Sequence, residues 1–446
     1  MIEVTIPSRK VPVSGKYDIC VVGGSCTGAF AAIRAARLGA KVVLIEKQNR
    51  FGGVAVSGLV SIWHSLKDTS FKTTIIAGLT LETIERLDRR NAVFHKAESP
   101  SSAYTLNTDE LSIELDKMLL ESGVEVLLHT SFTAPYMQDG KVVGIVIENK
   151  SGTQVVTADY FIDATGDADL CYRSGLSCRK PEHPQPPTTC AKFSDWKFPE
   201  GFDLGKAIRE HGKEYGIPEG FIWGAHVPGS EIFMLAGTRV FGRDCADGKD
   251  LTAAELEGRR QIRAVHDLLR DKYGLNKITL QALPSMIGIR ESRHIDAQYR
   301  ITGKELLNGV RFDDAIANGT YRVDIHQPDR PGIIFRYLDG SEVYSCPGQP
   351  GVESRWREPV ESDPAFYQIP LRSLIPVGSE NIITAGRMLD SDAEAFGGLR
   401  VMVNMNQTGE AAGVAAVLAL DSGCNIADVP AAKVRDTLKK GCSIII

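Results

Sequence analysis

YDICVVGGSCTGAFAAIRAARLGAKVVLIE, residues 17–46, is the stretch of sequence that decides the fold. Asp18–Val22 is a short apolar run with β-branched residues, which predicts a buried parallel strand. A glycine-containing turn at residues 23–28 follows it, and the alanine-rich segment beyond predicts a helix that packs closely on a sheet. Gly39 ends this helix, and Lys41–Glu46 predicts a second strand. The stretch therefore predicts a strand–helix–strand unit.

The glycines of the turn are typical of a pyrophosphate site. Gly23 permits a tight turn, and Gly28 lets the helix approach the strand, so that the positive N-terminal end of the helix faces phosphates. Glu46 follows Gly23 by 23 residues, where a carboxylate accepts ribose hydroxyls and disfavours the 2′-phosphate of NADP. Ser25 replaces the middle glycine of G-x-G-x-x-G, so a purely structural turn remains the alternative.

Bulk composition excludes several classes of protein. The chain has 446 residues, 43% hydrophobic and 24% charged, which predicts two or three soluble globular domains. The net charge of −5 is spread along the chain, which argues against nucleic-acid binding. No apolar run is long enough for a membrane span, and no signal-peptide core is present. The nine cysteines show neither C-x-x-C nor zinc spacing, so we expect reduced thiols in a cytoplasmic protein without a metal.

The next segment predicts an interrupted sheet. We expect helices at Thr74–Arg90 and Asn107–Glu121, the second with Asn107 as its N-cap. Val142–Glu148 and Thr153–Ala158 predict an antiparallel meander that leads into a last strand, Tyr160–Ala164. A simple NAD dehydrogenase has no meander at this place, because its βαβ units follow one another directly.

The remainder of the chain predicts an inserted domain and a return to the first sheet. Residues 175–360 open with prolines, contain an amphipathic helix at Thr252–Tyr273, and end in a stretch, 327–358, that we expect to be loop. A strand at Asn381–Ala385 and an alanine-rich helix at Val401–Leu420 then return to the nucleotide domain. The predicted division is 1–174 and 361–446 for a Rossmann-like domain, with 175–360 as an α+β substrate or cap domain.

Taken together, these motifs resemble a known family. VVGGSCTGAFAAIRAARLGAKVVLIEK, FGGVAVSGLV, YFIDATGDADL, MIGIRESRHIDAQYRITG and the tail from IPLRSLIPVGSENIITAGR to LRVMVNMNQTGEAAGVAA span residues 17 to about 420. In this order they resemble bacterial FAD-dependent oxidoreductases of the glutathione-reductase-like α/β superfold. The cofactor domain resembles that of succinate dehydrogenase and fumarate reductase flavoproteins.

The resemblance implies a set of FAD contacts. It places Gly23, Gly24, Ser25 and Gly28 at the pyrophosphate, Glu46 at the ribose, Lys47, Gly52 and Gly53 beside phosphates and flavin, Phe132 at adenine, Gly166 and Asp167 over the cofactor, and Gly386, Arg387, Leu399, Arg400 and Val401 at the ribityl chain and ring. Ser25 and Glu410 depart from the family pattern, since relatives often have glycine and glutamine there. No His-Thr motif of the covalent-flavin type precedes Gly52, so we expect non-covalent FAD.

Candidate catalytic residues come from polar clusters in the inserted segment. Arg290, Arg293 and His294 lie within five residues and are suited to grip a carboxylate and move a proton, although an interdomain salt-bridge strand is the structural alternative. His326 is the second candidate, because strand alternation directs it and Asp324 to one face. His64 is a third candidate, with a packed core pair of Trp63 and His64 as the alternative.

The sequence therefore predicts a flavin-dependent dehydrogenase or reductase that acts on a small polar metabolite. A flavin monooxygenase or oxidase is one alternative, and an NAD-dependent dehydrogenase or a non-redox nucleotide-binding module is another. No second dinucleotide fingerprint follows residue 170, so the electron acceptor or donor is left open between a second substrate, a quinone and a partner protein. A homo-oligomer is possible on this reading.

Overall fold

The computed structural model describes residues 4, 8, 10–97, 102–219, 222–326, 332–346 and 348–446. The α-helices in these ranges are α1 (Cys26–Arg37), α2 (Leu79–Asp88), α3 (Thr108–Glu121), α4 (Asp169–Arg173), α5 (Leu204–His211), α6 (Gly248–Tyr273), α7 (Gly303–Leu307), α8 (Ala393–Leu399), α9 (Met402–Ser422) and α10 (Ala431–Lys440). The strands are β1 (Val13–Val22), β2 (Val42–Ile45), β3 (Ile62–Trp63), β4 (Val93–His95), β5 (Tyr104–Leu106), β6 (Glu125–Leu127), β7 (Ser131–Gln138), β8 (Lys141–Asn149), β9 (Gly152–Asp163), β10 (Cys178–Arg179), β11 (Cys190–Ser194), β12 (Trp223–His226), β13 (Phe233–Ala236), β14 (Thr279–Ala282), β15 (His294–Ile295), β16 (Ala315–Gly319), β17 (Val323–His326), β18 (Ile333–Arg336), β19 (Ser341–Ser345), β20 (Val352–Arg355), β21 (Tyr367–Pro370) and β22 (Ile382–Thr384).

The largest sheet has seven strands and combines parallel and antiparallel pairing. β1 pairs in parallel with β2 and β9, β2 pairs in parallel with β6, and β22 pairs in parallel with the last residues of β9. The first half of β9 pairs antiparallel with β8, which pairs in turn with β7. The predicted fold class, a Rossmann-like parallel sheet with a meander, is confirmed.

Two details of this sheet differ from prediction. β9 is one strand from Gly152 to Asp163, where the sequence predicted separate strands at Thr153–Ala158 and Tyr160–Ala164. It continues without a break because different partners, β8 and β22, pair with its two halves. β7 was not predicted, since its burial alternates too weakly to give a clear pattern.

The predicted helices near the sheet are largely present. Asn107 caps α3 as predicted, since its Oδ1 accepts hydrogen bonds from the amides of Asp109 and Glu110 at 3.2 and 3.4 Å. α2 begins only at Leu79, five residues later than expected, because Gly78 before it has a φ of +64° that no helix contains. Its position is fixed by tertiary contacts that a helical pattern does not encode.

Helix α9 crosses α1 at close range and fixes it against the sheet. A Cβ on Gly409 would meet the carbonyl oxygen of Thr27, and one on Gly413 would meet that of Ala31. These glycines therefore allow backbone-to-backbone contact between the helices, and α1 is buried along almost its whole length. The helix predicted at Val401–Leu420 thus returns to the first strand–helix–strand unit, as expected.

The middle of the chain adds two four-stranded antiparallel sheets among the described residues. One has the order β12–β13–β11–β14, and helices α5 and α6 cover it through a core that includes Phe193, Ile262 and Leu268. The other has the order β17–β18–β19–β20, so the expectation of loop across 327–358 is wrong where the structure describes it. Residues 327–331 and 347 lie outside the described residues.

The chain returns to the seven-stranded sheet through β22, in agreement with the predicted order of segments. The division at residues 174 and 360 stays a prediction. Within the described ranges, no helix has the length and apolar character needed to cross a membrane.

Candidate functional site

One cavity of about 730 Å³ extends from the first sheet to the strand pair β17–β18. Its walls include Val22, Ile45 and Ala164, which stand at the carboxyl ends of β1, β2 and β9 or directly after them. Ligands of open α/β sheets bind at such ends. The cavity then continues past the N-terminus of α9 to β12 and β17.

The turn between β1 and α1 forms a narrow backbone cradle. Gly23, Gly52 and Gly53 have φ values of +105°, +110° and +51°, which favour glycine, and all three line the cavity. A Cβ on Gly53 would stand 2.7 Å from the Cβ of Ser25. Ser25 is the N-cap of α1 and accepts a hydrogen bond from the amide of Gly28 at 3.3 Å, which leaves its hydroxyl proton able to donate into the cavity.

Glu46 lies beside this cradle at the end of β2. Its Oε2 accepts a hydrogen bond from the amide of Gly24 at 2.6 Å, and its Oε1 accepts one from the amide of Gln48 at 2.7 Å. The carboxylate is therefore fixed in place, yet it still faces the cavity. Lys47 and Phe132 line the same end, as the resemblance implied.

A second loop closes over the cavity after β9. The carboxylate of Asp167 accepts hydrogen bonds from Arg387 Nη2 and from the hydroxyl of Ser292, both at 2.5 Å. Gly166 has a φ of +81°, and a Cβ there would meet the guanidinium of Arg387. The predicted contacts Gly166, Asp167, Gly386 and Arg387 are thus brought together on the cavity wall.

Arg293 and His294, predicted as catalytic, do not line the cavity. Arg293 donates to the carbonyl oxygen of Asp167 at 3.0 Å and to Asp169 at 2.8 Å, so it holds the Asp167 loop from behind. His294 is buried, with Nδ1 at 3.1 Å from the Leu389 carbonyl oxygen and Nε2 at 3.0 Å from Glu291. These contacts are the kind expected of a salt-bridge strand, the structural alternative to a catalytic role, because both side chains bind other groups of the protein.

The far end of the cavity is rich in arginine. Arg290, Arg322 and Arg400 line it, and the buried Arg239 lies behind them; we call these four residues the arginine cluster. The side chain of Arg290 donates to Thr188 Oγ1 at 2.5 Å, and burial lowers its pKa to about 9, with the charges of Arg400 and Arg239 adding to the effect. Arg239 and Arg322 were missed by the sequence analysis, since no local motif contains them.

Asp324 is the one carboxylate among the described residues that line this end of the cavity. It accepts a hydrogen bond from the Tyr321 hydroxyl at 2.8 Å and stands 3.1 Å from Arg400 Nη2. Burial alone would raise its pKa, but the groups around its carboxyl, His326 first and Arg400 second, lower the pKa below its ordinary value. This side chain therefore stays ionised.

Two histidines face the same end of the cavity. Burial lowers the pKa of His326 well below its ordinary value, and the charge of Arg290 adds to the shift. The Nε2 of His326 stands 3.3 Å from Asp324, so the two side chains lie on one face of the strand, as predicted. Its Nδ1 has no hydrogen-bond partner among the described residues.

His64 is the second of these histidines. Burial lowers its pKa to about 3, and the charge of Arg322 adds to the shift. Its ring packs at 4.1 Å on that of Tyr321.

Because the pKa values of these histidines are lowered in the fold, we expect the protein to lose stability in mild acid. The pKa of His64 is 6.5 in an unfolded chain and about 3 in the fold, so between these values the unfolded state binds more protons. We expect the free energy of unfolding to fall as pH decreases below 6.5, with His64 contributing at most about 2 kcal/mol between pH 6.5 and 5. Urea denaturation at several pH values measures this slope. The variant His64→Asn should flatten it, and an unchanged slope would contradict the assignment.

The cavity also contains two thiols, Cys26 and Cys190. Burial raises the pKa of each to about 12. Because the thiolate is the reactive form of cysteine, neither group is prepared for thiol–disulfide chemistry.

Most of the predicted cofactor contacts line the cavity, and three lie just behind its wall. Gly24, Gly28 and Leu399 are not on the surface of the cavity. Gly24 donates to Glu46, and a Cβ on Gly28 would meet the carbonyl oxygen of Gly23. These residues shape the wall rather than touch its contents.

Comparison with known proteins gives one family and several partial relatives. The model of the FAD dependent oxidoreductase family matches residues 18–438. A digeranylgeranylglycerophospholipid reductase of Methanothermobacter thermautotrophicus is 32% identical over 36% of this chain and 42% of its own length. A glutathione reductase of Schizosaccharomyces pombe is 29% identical over 35% of this chain and 32% of its own length. The chain thus spans less than half the length of these two curated relatives.

The overall fold also has a counterpart among solved structures. A geranylgeranyl bacteriochlorophyll reductase-like protein of Thermoplasma acidophilum superposes with a TM-score of 0.51 at 15% identity, covering 96% of this chain and 83% of that one. At this identity the likeness extends to the fold alone.

Proposed function

Because the chain belongs to the FAD dependent oxidoreductase family, we propose that it exchanges a hydride between non-covalently bound FAD and a small polar substrate. The observation that carries this proposal is the single cavity that joins a nucleotide cradle to a buried group of arginines and neutral histidines. The relation of the cofactor domain to succinate dehydrogenase flavoproteins, the cytoplasmic location and a homo-oligomeric state stay predictions.

The described residues fit FAD. Gly23, Gly52 and Gly53 leave room for backbone approach, the hydroxyl of Ser25 is able to donate to a phosphate, and Glu46 offers acceptors to a ribose. At the other end, α9 starts at Met402, and its N-cap residue Val401 provides no side-chain hydrogen bond, so the positive end of the helix suits the pyrimidine of a flavin. When bound, FAD supplies two-electron hydride chemistry, which no side chain provides.

The protein then has to move one proton. A substrate alcohol that becomes a carbonyl gives up a hydride from carbon and a proton from oxygen, and the reverse reaction takes both back. His326 is placed to exchange this proton, because it lines the cavity and its Nδ1 has no hydrogen-bond partner among the described residues. The second redox partner is left open between another substrate, a quinone and a protein.

An absorption spectrum of the purified protein tests the proposal. Flavin bands, with the colour released into the supernatant on denaturation, are the expected result for non-covalent FAD. Anaerobic screening of small polar compounds should then bleach the bands with one substrate class. A colourless protein that fails to take up added FAD would overturn the proposal.

A further inference from the structure

We propose that the substrate is a small carboxylate, such as a 2-hydroxy or 2-oxo acid, and that Arg290 and Arg322 bind its carboxyl group. This inference rests on the function proposed above and names the substrate class for the same site. It follows from the charge, the geometry and the size of the far end of the cavity.

The charges at this end are unbalanced. Among the described residues that line this end, three guanidinium groups, those of Arg290, Arg322 and Arg400, face one carboxylate, Asp324, and neither His64 nor His326 is charged at neutral pH. Buried charge without a counter-ion is costly, so a fold that keeps several cations together at the end of a cavity is suited to an anionic ligand. Arginine pairs especially well with carboxylates, since its planar fork matches both oxygens.

The geometry divides this cluster into two parts. Arg400 Nη2 stands 3.1 Å from Asp324, and Arg400 lies two residues before α9, whose N-terminus we assign to the flavin. Arg322 instead lies over the ring of Phe335, with its Cζ at 4.0 Å from the ring centroid, and its Nε has no hydrogen-bond partner among the described residues. Arg290 donates to Pro186 and Thr188, but neither it nor Arg322 forms an ion pair with a carboxylate among the described residues, so both are available to a second anion.

The position of the cluster argues for an anion close to the reacting carbon. The charge of Arg290 acts directly on His326, the residue suited to exchange the substrate proton. Both residues line the cavity, so an anion bound by Arg290 would lie on the same side of the cavity as His326. The size of the cavity points the same way: at about 730 Å³ it is within the range of sites for a single ligand, so FAD leaves room only for a small partner.

Calorimetric titration of the purified protein with pyruvate tests the inference. We expect saturable binding by the wild type and, because a charge-assisted contact is lost, about 10- to 100-fold weaker binding by Arg322→Met. Arg322→Lys, which keeps the charge, should recover part of the affinity. Arg311→Met is the matched control, because Arg311 also lies over a ring, that of Phe366 at 3.5 Å, but outside the cavity. It should bind pyruvate as the wild type does.

Other ligands make the test selective. Glycerol, glycerol phosphate and vesicles of an anionic phospholipid should each bind at least tenfold more weakly than pyruvate. Equal or tighter binding of any of them, or equal pyruvate affinity of Arg322→Met and wild type, would overturn the proposal. Calorimetry does not depend on colour, so a protein that binds pyruvate but no flavin would overturn the proposed function and leave the carboxylate site standing.

Discussion

Replacing Gly28 with valine should weaken the binding of FAD to the protein. A Cβ at this position would meet the carbonyl oxygen of Gly23 and stand 3.0 Å from the Cβ of Ala164. The first of these atoms is backbone and cannot rotate away, so α1 must move off the end of β1. Because overpacking of this kind costs about 1–3 kcal/mol, we expect FAD to bind about 10- to 100-fold more weakly. Titration of the apoprotein with FAD, followed by flavin fluorescence, measures the change.

A second glycine variant separates loss of the cofactor from loss of the fold. Gly248 is the first residue of α6, and a Cβ there would meet nothing within 4 Å. Gly248→Ala should therefore bind FAD as the wild type does. Circular dichroism of apo Gly28→Val should show the native helix content. Unchanged FAD affinity of Gly28→Val would contradict the assignment of the turn between β1 and α1 as the pyrophosphate cradle.

The elements that could be predicted from the sequence are those whose pattern is local. The strand–helix–strand unit of residues 17–46 and the N-cap at Asn107 depend on neighbouring residues, and both are present. The strands within 333–355 were taken for loop because they are short, and β19 and β20 are half-buried or exposed throughout. Their pairing with one another, rather than an apolar pattern, defines them.

The candidate site was only partly predictable for the same reason. The cradle glycines belong to motifs with fixed spacing, so Gly23, Gly52 and Gly53 could be identified from the sequence. Arg239 and Arg322 belong to segments far apart in the chain, and only the tertiary fold brings Arg239 close enough to act on Asp324, the near neighbour of Arg322. Conversely, Arg293 and His294 form a dense polar cluster in sequence, but neither side chain lines the cavity, because Arg293 binds the Asp167 loop and His294 binds Glu291.

Replacing Glu410 with alanine should strongly destabilise the protein. Glu410 is 1% exposed and accepts hydrogen bonds from Arg34 Nε at 3.1 Å and from the amide of Leu79, at the start of α2, at 3.0 Å. The variant leaves Arg34, itself 5% exposed, without its carboxylate. Breaking a buried pair in this way costs about 3–5 kcal/mol, because an uncompensated charge remains inside. Urea or thermal denaturation measures the loss.

Two further variants identify the cause of that loss. Glu82 forms an ion pair with Arg37 at 2.7 Å at the surface, so Glu82→Ala should cost no more than about 1 kcal/mol. Glu410→Gln should fall between the two, since the amide still accepts the hydrogen bond from Leu79. Burial also raises the pKa of Glu410 even though Arg34 opposes the shift, so a neutral side chain of the same size is less costly here than removal of the whole group. Equal stability of Glu410→Ala and Glu82→Ala would show that the buried pair does not hold α1, α2 and α9 together.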